Sequence, residues 1–173
     1  MTASEPALVS IPFHTDNRGT FSKPLHTGVA EAEDFAIVEL YWTRSDRGAI
    51  RGLHFQTPPH AVNKLVWVSS GSVIDVVVDL RRGDSYGAVA TFELSADAGS
   101  AVWVPDGFAH GFQALTDNAI VNYAVDAGYA PSNDAGVLWS SIDFAWPLPA
   151  GAISERDRGF VGLAEFDSPF TIR

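Results

Sequence analysis

The sequence predicts an all-β fold: a sandwich, jelly roll or barrel of short antiparallel strands with only peripheral helical turns. Three observations lead there. Seven segments rich in Val, Ile, Trp, Tyr and Phe are each bounded by Gly, Asp, Asn or Pro, the composition and punctuation of strands. Fifteen glycines and ten prolines interrupt the chain too often for long helices. Within the clearest segment, residues change character at every second position, the period of a strand.

The strands are expected at residues 35–42, 64–69, 72–80, 88–94, 100–104, 111–115 and 119–125, and the one helical turn at 28–34. Ser70-Gly71 and Thr116-Asp117-Asn118 carry tight-turn chemistry between apolar runs, so each is expected to close a hairpin. In the strand 72–80, Ile74, Val76, Val78 and Leu80 share one face, and Val73, Asp75, Val77 and Asp79 the other. The second face is polar enough to line a cavity. Seven or more strands of this kind fit one sandwich or barrel.

At 173 residues with 46% hydrophobic content the chain is expected to form one domain, residues 1–173, around one core. It has no cysteine. That excludes disulfides, thiolate zinc sites and thiol nucleophiles, and suits a reducing compartment. A net charge of −10 argues against nucleic-acid or anionic-membrane surfaces, because the long-range field repels both. A bound phosphate therefore needs a local cluster of the few arginines. The start, MTASEPALVSIPF, lacks the basic and apolar regions of a signal peptide, and no apolar run reaches the ~18 residues of a membrane span. A soluble cytoplasmic protein is expected.

Chemistry centres on the histidines His14, His26, His54, His60 and His110. Singly, a histidine in a β protein is more often structural than catalytic. Spacing singles out two of them. Gly48, five residues, His54, then Lys64, six residues and Gly71 follow the frame of the first cupin motif; Gly99, five residues, Pro105, Gly107 and His110 follow the second. In a metal-binding cupin the first motif supplies two histidines and a glutamate. Here Gln56 and Lys64 stand at the second histidine and the acidic position. An ammonium repels a divalent cation and an amide is a poor ligand for zinc or iron, so no metal is expected. The site must work with acid, base and cation side chains.

The runs Asp16-Asn17-Arg18-Gly19, Arg51-Gly52-Leu53-His54-Phe55-Gln56, Pro58-Pro59-His60-Ala61 with Lys64, Asp79-Leu80-Arg81, Pro105-Asp106-Gly107-Phe108-Ala109-His110-Gly111-Phe112, Tyr129-Ala130-Pro131, Trp146-Pro147 and Ser154-Glu155-Arg156-Asp157 extend the likeness. With them the chain resembles the dTDP-4-dehydrorhamnose 3,5-epimerase family, metal-free and cofactor-free cupins of nucleotide-sugar biosynthesis. The resemblance implies a cupin jelly roll. It maps the general base onto His54, its orienting carboxylate onto Asp157, the acid on the opposite face onto Tyr123, and the lysine beside the sugar's keto oxygen onto Lys64. Arg18 and Arg51 match diphosphate contacts, Tyr129 a nucleotide contact, and Gln56 and His110 pocket-lining positions. It further implies a nucleotide-diphosphate sugar as substrate and a homodimer that exchanges strands, with Ser10-Ile11-Pro12-Phe13 expected as the exchanged edge.

The chemistry agrees with these roles. Inverting a carbon beside a ketone needs a base to take its proton, a cation at the enolate oxygen, and an acid on the other face. A carboxylate behind the imidazole fixes its tautomer. The chain departs from the family where a polar Gln-Asp-Asn-type stretch is usual: it reads Glu39-Leu40-Tyr41-Trp42. Tyr41 and Trp42 are expected to fill space against the sugar or base, which leaves open a C3- or C5-only mono-epimerase. The same residues are compatible with a 3,4-ketoisomerase or with a non-catalytic sugar-nucleotide binding cupin.

Overall fold

Residues 5–25 and 35–171 are described in the computed structural model. The turn expected at 28–34 and His26 lie outside them. Two five-stranded antiparallel sheets face one another. The first has the order β1 (Ala7–Ser10), β9 (Ser100–Val104), β6 (Lys64–Ser70), β11 (Ala119–Val125) and β4 (Glu39–Ser45). The second runs β12 (Asp134–Gly136), β5 (Ile50–Gln56), β10 (Phe108–Ala114), β7 (Ser72–Asp79) and β8 (Val89–Ser95). A separate exposed hairpin pairs β2 (Phe13–Asp16) with β3 (Gly19–Ser22). One helical turn, α1 (Glu155–Arg158), and a 3-10 turn at Leu163–Glu165 follow the sheets. Among the described residues no helix is long and apolar enough to cross a membrane.

The alternation read in 72–80 decides what each face does. Val73 and Val77 join Val66, Val102, Val121 and Phe112 in the core between the sheets, and Asp75 enters the same interior, fully buried. Val76, Val78 and Leu80 point outward but are covered by Val137, Ile142 and Phe170 of the C-terminal segment. Both faces of the second sheet are therefore dry, which is why β10 is buried at every residue. It begins at Phe108, three residues before the expected start, because Phe108 and His110 already face the interior.

Neither expected hairpin forms. Ser70-Gly71 leads from β6 in the first sheet to β7 in the second, and Thr116-Asp117-Asn118 leads from β10 back to β11. Tight-turn residues specify a local reversal but not which strand the next one pairs with. Here the chain crosses layers at both points, and the two corners pack together: Ser72 N–H donates to Thr116 Oγ1 at 3.0 Å. Gly71, at φ +70°, is required there, since a Cβ would collide with Thr116 Oγ1. The segment 10–13, expected as an exchanged edge, is divided. Ser10 closes β1 on β9 of the same chain, and Phe13 opens the β2–β3 hairpin.

Candidate active site

His54 lies on β5 and Asp157 on α1, 103 residues apart, and they meet with Nε2 2.8 Å from Oδ1. The second Asp157 oxygen accepts the Gly52 N–H at 3.0 Å. Gly52 makes this possible. It sits at φ +124°, and a Cβ on it would come within 2.7 Å of Gly111 Cα, so only glycine lets β5 run this close to β10. The register of that pair shifts between His110 and Phe112 at the same place. On the other side, Ser154 caps α1 by accepting the Asp157 N–H at 3.0 Å. Burial alone would raise the Asp157 carboxyl. The hydrogen bonds from His54 and Gly52 outweigh it and hold the group below the usual carboxylate range. With Nε2 directed at that carboxylate, the other ring nitrogen is left without this partner. The Phe160 ring meets the imidazole edge-on at 5.7 Å.

Lys64 opens β6 in the opposing sheet. Its Nζ donates to the His54 carbonyl at 3.2 Å, tying the ammonium to the strand that carries the imidazole. Burial brings the amine down to about 8, against partial support from the charges of Asp75 and Asp134. The charged form persists at neutral pH but is easily lost.

His54 and Lys64 share a cavity of about 380 Å³ with Tyr41, Gln56, Tyr129, Glu39, Asp134 and Arg156, within the range of small-molecule sites. Tyr123 lies on β11 in the sheet facing His54. Its ring stacks on that of Tyr41 at 4.7 Å, and burial is the main reason its phenol is pushed well above the ordinary range. Tyr129 stands at the mouth, its hydroxyl donating to Asp134 Oδ2 at 3.1 Å and its ring exposed. Gln56 holds the loop beneath Tyr129. Its Oε1 accepts the Ala130 N–H at 2.7 Å, and its amide donates to the carbonyls of His60 and Gly128 at 2.9 and 3.3 Å. Those backbone bonds occupy most of the amide, which makes Gln56 a support for the mouth.

Other expected contacts lie elsewhere in this chain. His110 is buried behind the cavity, bonded to Asp75 at 2.8 Å, with its ring 6.0 Å from that of Tyr123. Trp42 takes the opposite face of β4 from Tyr41, because neighbouring strand residues alternate, and is 63% exposed. Arg51 bonds Ser45 Oγ and the Arg44 carbonyl at 2.9 and 3.1 Å. Arg18 sits at the tip of the β2–β3 hairpin, paired with Asp16 at 2.6 Å.

Sequence reading missed an ion pair at the mouth. Arg156 Nη2 lies 2.7 Å from Asp134 Oδ2, and both line the cavity. Arg156 stands beside Asp157 in the Ser-Glu-Arg-Asp run, but Asp134 carries no local signal, since β12 brings it in from 22 residues away.

The sequence pattern of the dTDP-4-dehydrorhamnose 3,5-epimerase family matches residues 2–165. The chain is 37% identical to the dTDP-4-dehydrorhamnose 3,5-epimerase of Methanothermobacter thermautotrophicus over 95% of its own length and 93% of the relative's. The Bacillus anthracis dTDP-4-dehydrorhamnose 3,5-epimerase, solved with TDP and pyrophosphate bound, superposes with a TM-score of 0.86 at 35% identity, over 92% of this chain and 94% of that one. A 3'-monoepimerase from Streptomyces bikiniensis, solved with dTDP-quinovose, gives 0.84 at 27% identity, over 92% and 84%. With this match nearly end to end in sequence and in fold, the chain belongs to the dTDP-4-dehydrorhamnose 3,5-epimerase family.

Proposed function

We propose that the protein inverts C3, C5 or both in a nucleotide-diphosphate-linked 4-keto-6-deoxyhexose, without metal or other cofactor. The observation that carries this is His54, braced by the buried Asp157, sharing a cavity with Lys64 and Tyr41, with the buried Tyr123 ring stacked on that of Tyr41 in the facing sheet. The imidazole takes the proton from the carbon beside the ketone. The C–H electron pair becomes the C=C bond of an enolate, whose negative oxygen lies beside Lys64. The Tyr123 hydroxyl then returns a proton to the same carbon from the other face, the ketone re-forms, and water exchange restores the imidazole and the phenol. Asp157 stabilises the imidazolium in between. Tyr129 offers a ring for the nucleobase, and Arg18 and Arg51 are assigned to the diphosphate.

Arg18 lines a different surface from the cavity that holds His54 in the same chain, which we take as support for a homodimer in which the β2–β3 hairpin meets the partner's cavity. That hairpin exposes Phe21, and the edge strand β4 exposes Leu40 and Trp42, apolar surface of the kind that marks an interface. We place the protein in the cytoplasm, consistent with a chain free of cysteine. The test is incubation with dTDP-4-keto-6-deoxyglucose in D2O. Label must enter C3, C5 or both; a binding protein labels neither. Label at C3 alone or at C5 alone identifies a mono-epimerase.

A further inference from the structure

Tyr41 and Tyr123 stand directly opposite each other across the β4–β11 ladder, their rings 4.7 Å apart and within 14° of parallel. The sheet that faces His54 therefore carries two phenols, Tyr41 at the cavity and Tyr123 stacked against it in the core, and a single proton return by Tyr123 employs one. Access favours the unused one. Tyr123 is 7% exposed, whereas Tyr41 is 42% exposed and lines the cavity with His54 and Lys64. Among the described residues no hydrogen bond engages the Tyr41 hydroxyl. Glu39 and Asp134 face it from the same cavity. An open hydroxyl in a cavity, on the wall opposite the base, is placed to meet a ligand.

The substrate gives two phenols work to do. The two acidic carbons flank the ketone and lie about 2.5 Å apart in the ring, by ordinary bond lengths and angles. A hydroxyl held by a strand is best aligned with one of them at a time, as the imidazole is, so a second donor on the facing sheet leaves only the base to be realigned between the two inversions. Two stacked rings side by side span that separation. Burial, together with the charges of Glu39 and Asp134, pushes the Tyr41 phenol up to about 12, so it keeps its proton at neutral pH and is available as an acid.

We propose that Tyr41 is a second proton donor of the reaction, and that Tyr41 and Tyr123 divide between them the two carbons beside the ketone. This rests on the epimerase reading. At each carbon His54 accepts the proton and one phenol supplies its replacement, becoming a phenolate that water reprotonates after product leaves.

The test uses the full-length protein, dTDP-4-keto-6-deoxyglucose and D2O, with Tyr41→Phe and Tyr123→Phe compared with wild type by NMR of label position and product configuration. Both variants keep the aromatic stack, and thermal melting checks that each is folded. Tyr41→Phe is expected to lower inversion at one carbon at least tenfold and leave the other within twofold, while wash-in catalysed by His54 continues. Tyr123→Phe is expected to show the reciprocal pattern. Equal losses at both carbons in Tyr41→Phe, or no loss at either, overturn the proposal. So does a wild-type protein that inverts one carbon only, for which one donor suffices. Wild type with no wash-in at all is a different result: it overturns the epimerase reading and this proposal with it.

Discussion

Lys64 shows most plainly what a buried charge costs here. A buried ammonium that has fallen from 10.5 to about 8 corresponds to roughly 3 kcal/mol of unfavourable burial. Lys64→Met is therefore expected to raise stability by up to about 3 kcal/mol at pH 7 while removing most of the activity, a trade common at active sites. The sign can be followed in pH. Below about 8 the amine is charged in both folded and unfolded chains, and the full penalty applies. Between about 8 and 10.5 only the unfolded chain keeps the proton, so the wild type gains on the variant as pH rises, and above 10.5 the two converge. Denaturant titrations of both proteins across that range check it. Turnover should fall as pH rises past about 8, because the neutral amine no longer holds the enolate. The place of Lys64 in the cavity was legible from the sequence because it breaks a motif at one defined place. Tyr41 was legible as a departure too, but its stacking on Tyr123 depends on the β4–β11 register and could not be read locally.

At the scale of elements, the site depends on β5 lying unusually near β10 while α1 docks against it. Gly52→Ala introduces a Cβ into a gap of 2.7 Å at a φ of +124°, with about 1–3 kcal/mol of backbone strain before any clash is counted. We expect a loss of about 3 kcal/mol or more, seen as a fall in Tm of about 10 °C, together with loss of the Gly52 N–H bond to Asp157. A melting curve that matches wild type contradicts this. The strands at 100–104 and 119–125 could be read from composition alone and form with those bounds. The corners at Ser70-Gly71 and Thr116–Asn118 were seen as turns and misread as hairpins, because residues that permit a reversal do not encode which sheet receives the next strand. α1 escaped notice as an element. Four residues with a serine cap give almost no periodic signal, although its Ser-Glu-Arg-Asp sequence marked Asp157 as chemically interesting.

For the molecule as a whole, two sheets bring together residues that the sequence spreads from Glu39 to Asp157; the motif spacing singled out His54 and Lys64, although β5, the strand that carries His54, was not among those expected. The spacing could not tell which cavity Arg18 serves. The proposed homodimer is checked by light scattering. The wild type should have twice the mass of the 18.6 kDa chain, and Trp42→Glu with Leu40→Asp, on the exposed face of β4, should shift it toward monomer; a wild type that is already monomeric contradicts the arrangement. The central claim is that one imidazole, braced by Asp157, starts the reaction at every carbon the enzyme changes. Its most direct test is deuterium incorporation from D2O into dTDP-4-keto-6-deoxyglucose by wild type and His54→Asn, at matched, folded concentrations. The account predicts label at C3, C5 or both with the wild type and at neither with the variant, and label still entering with His54→Asn would contradict it.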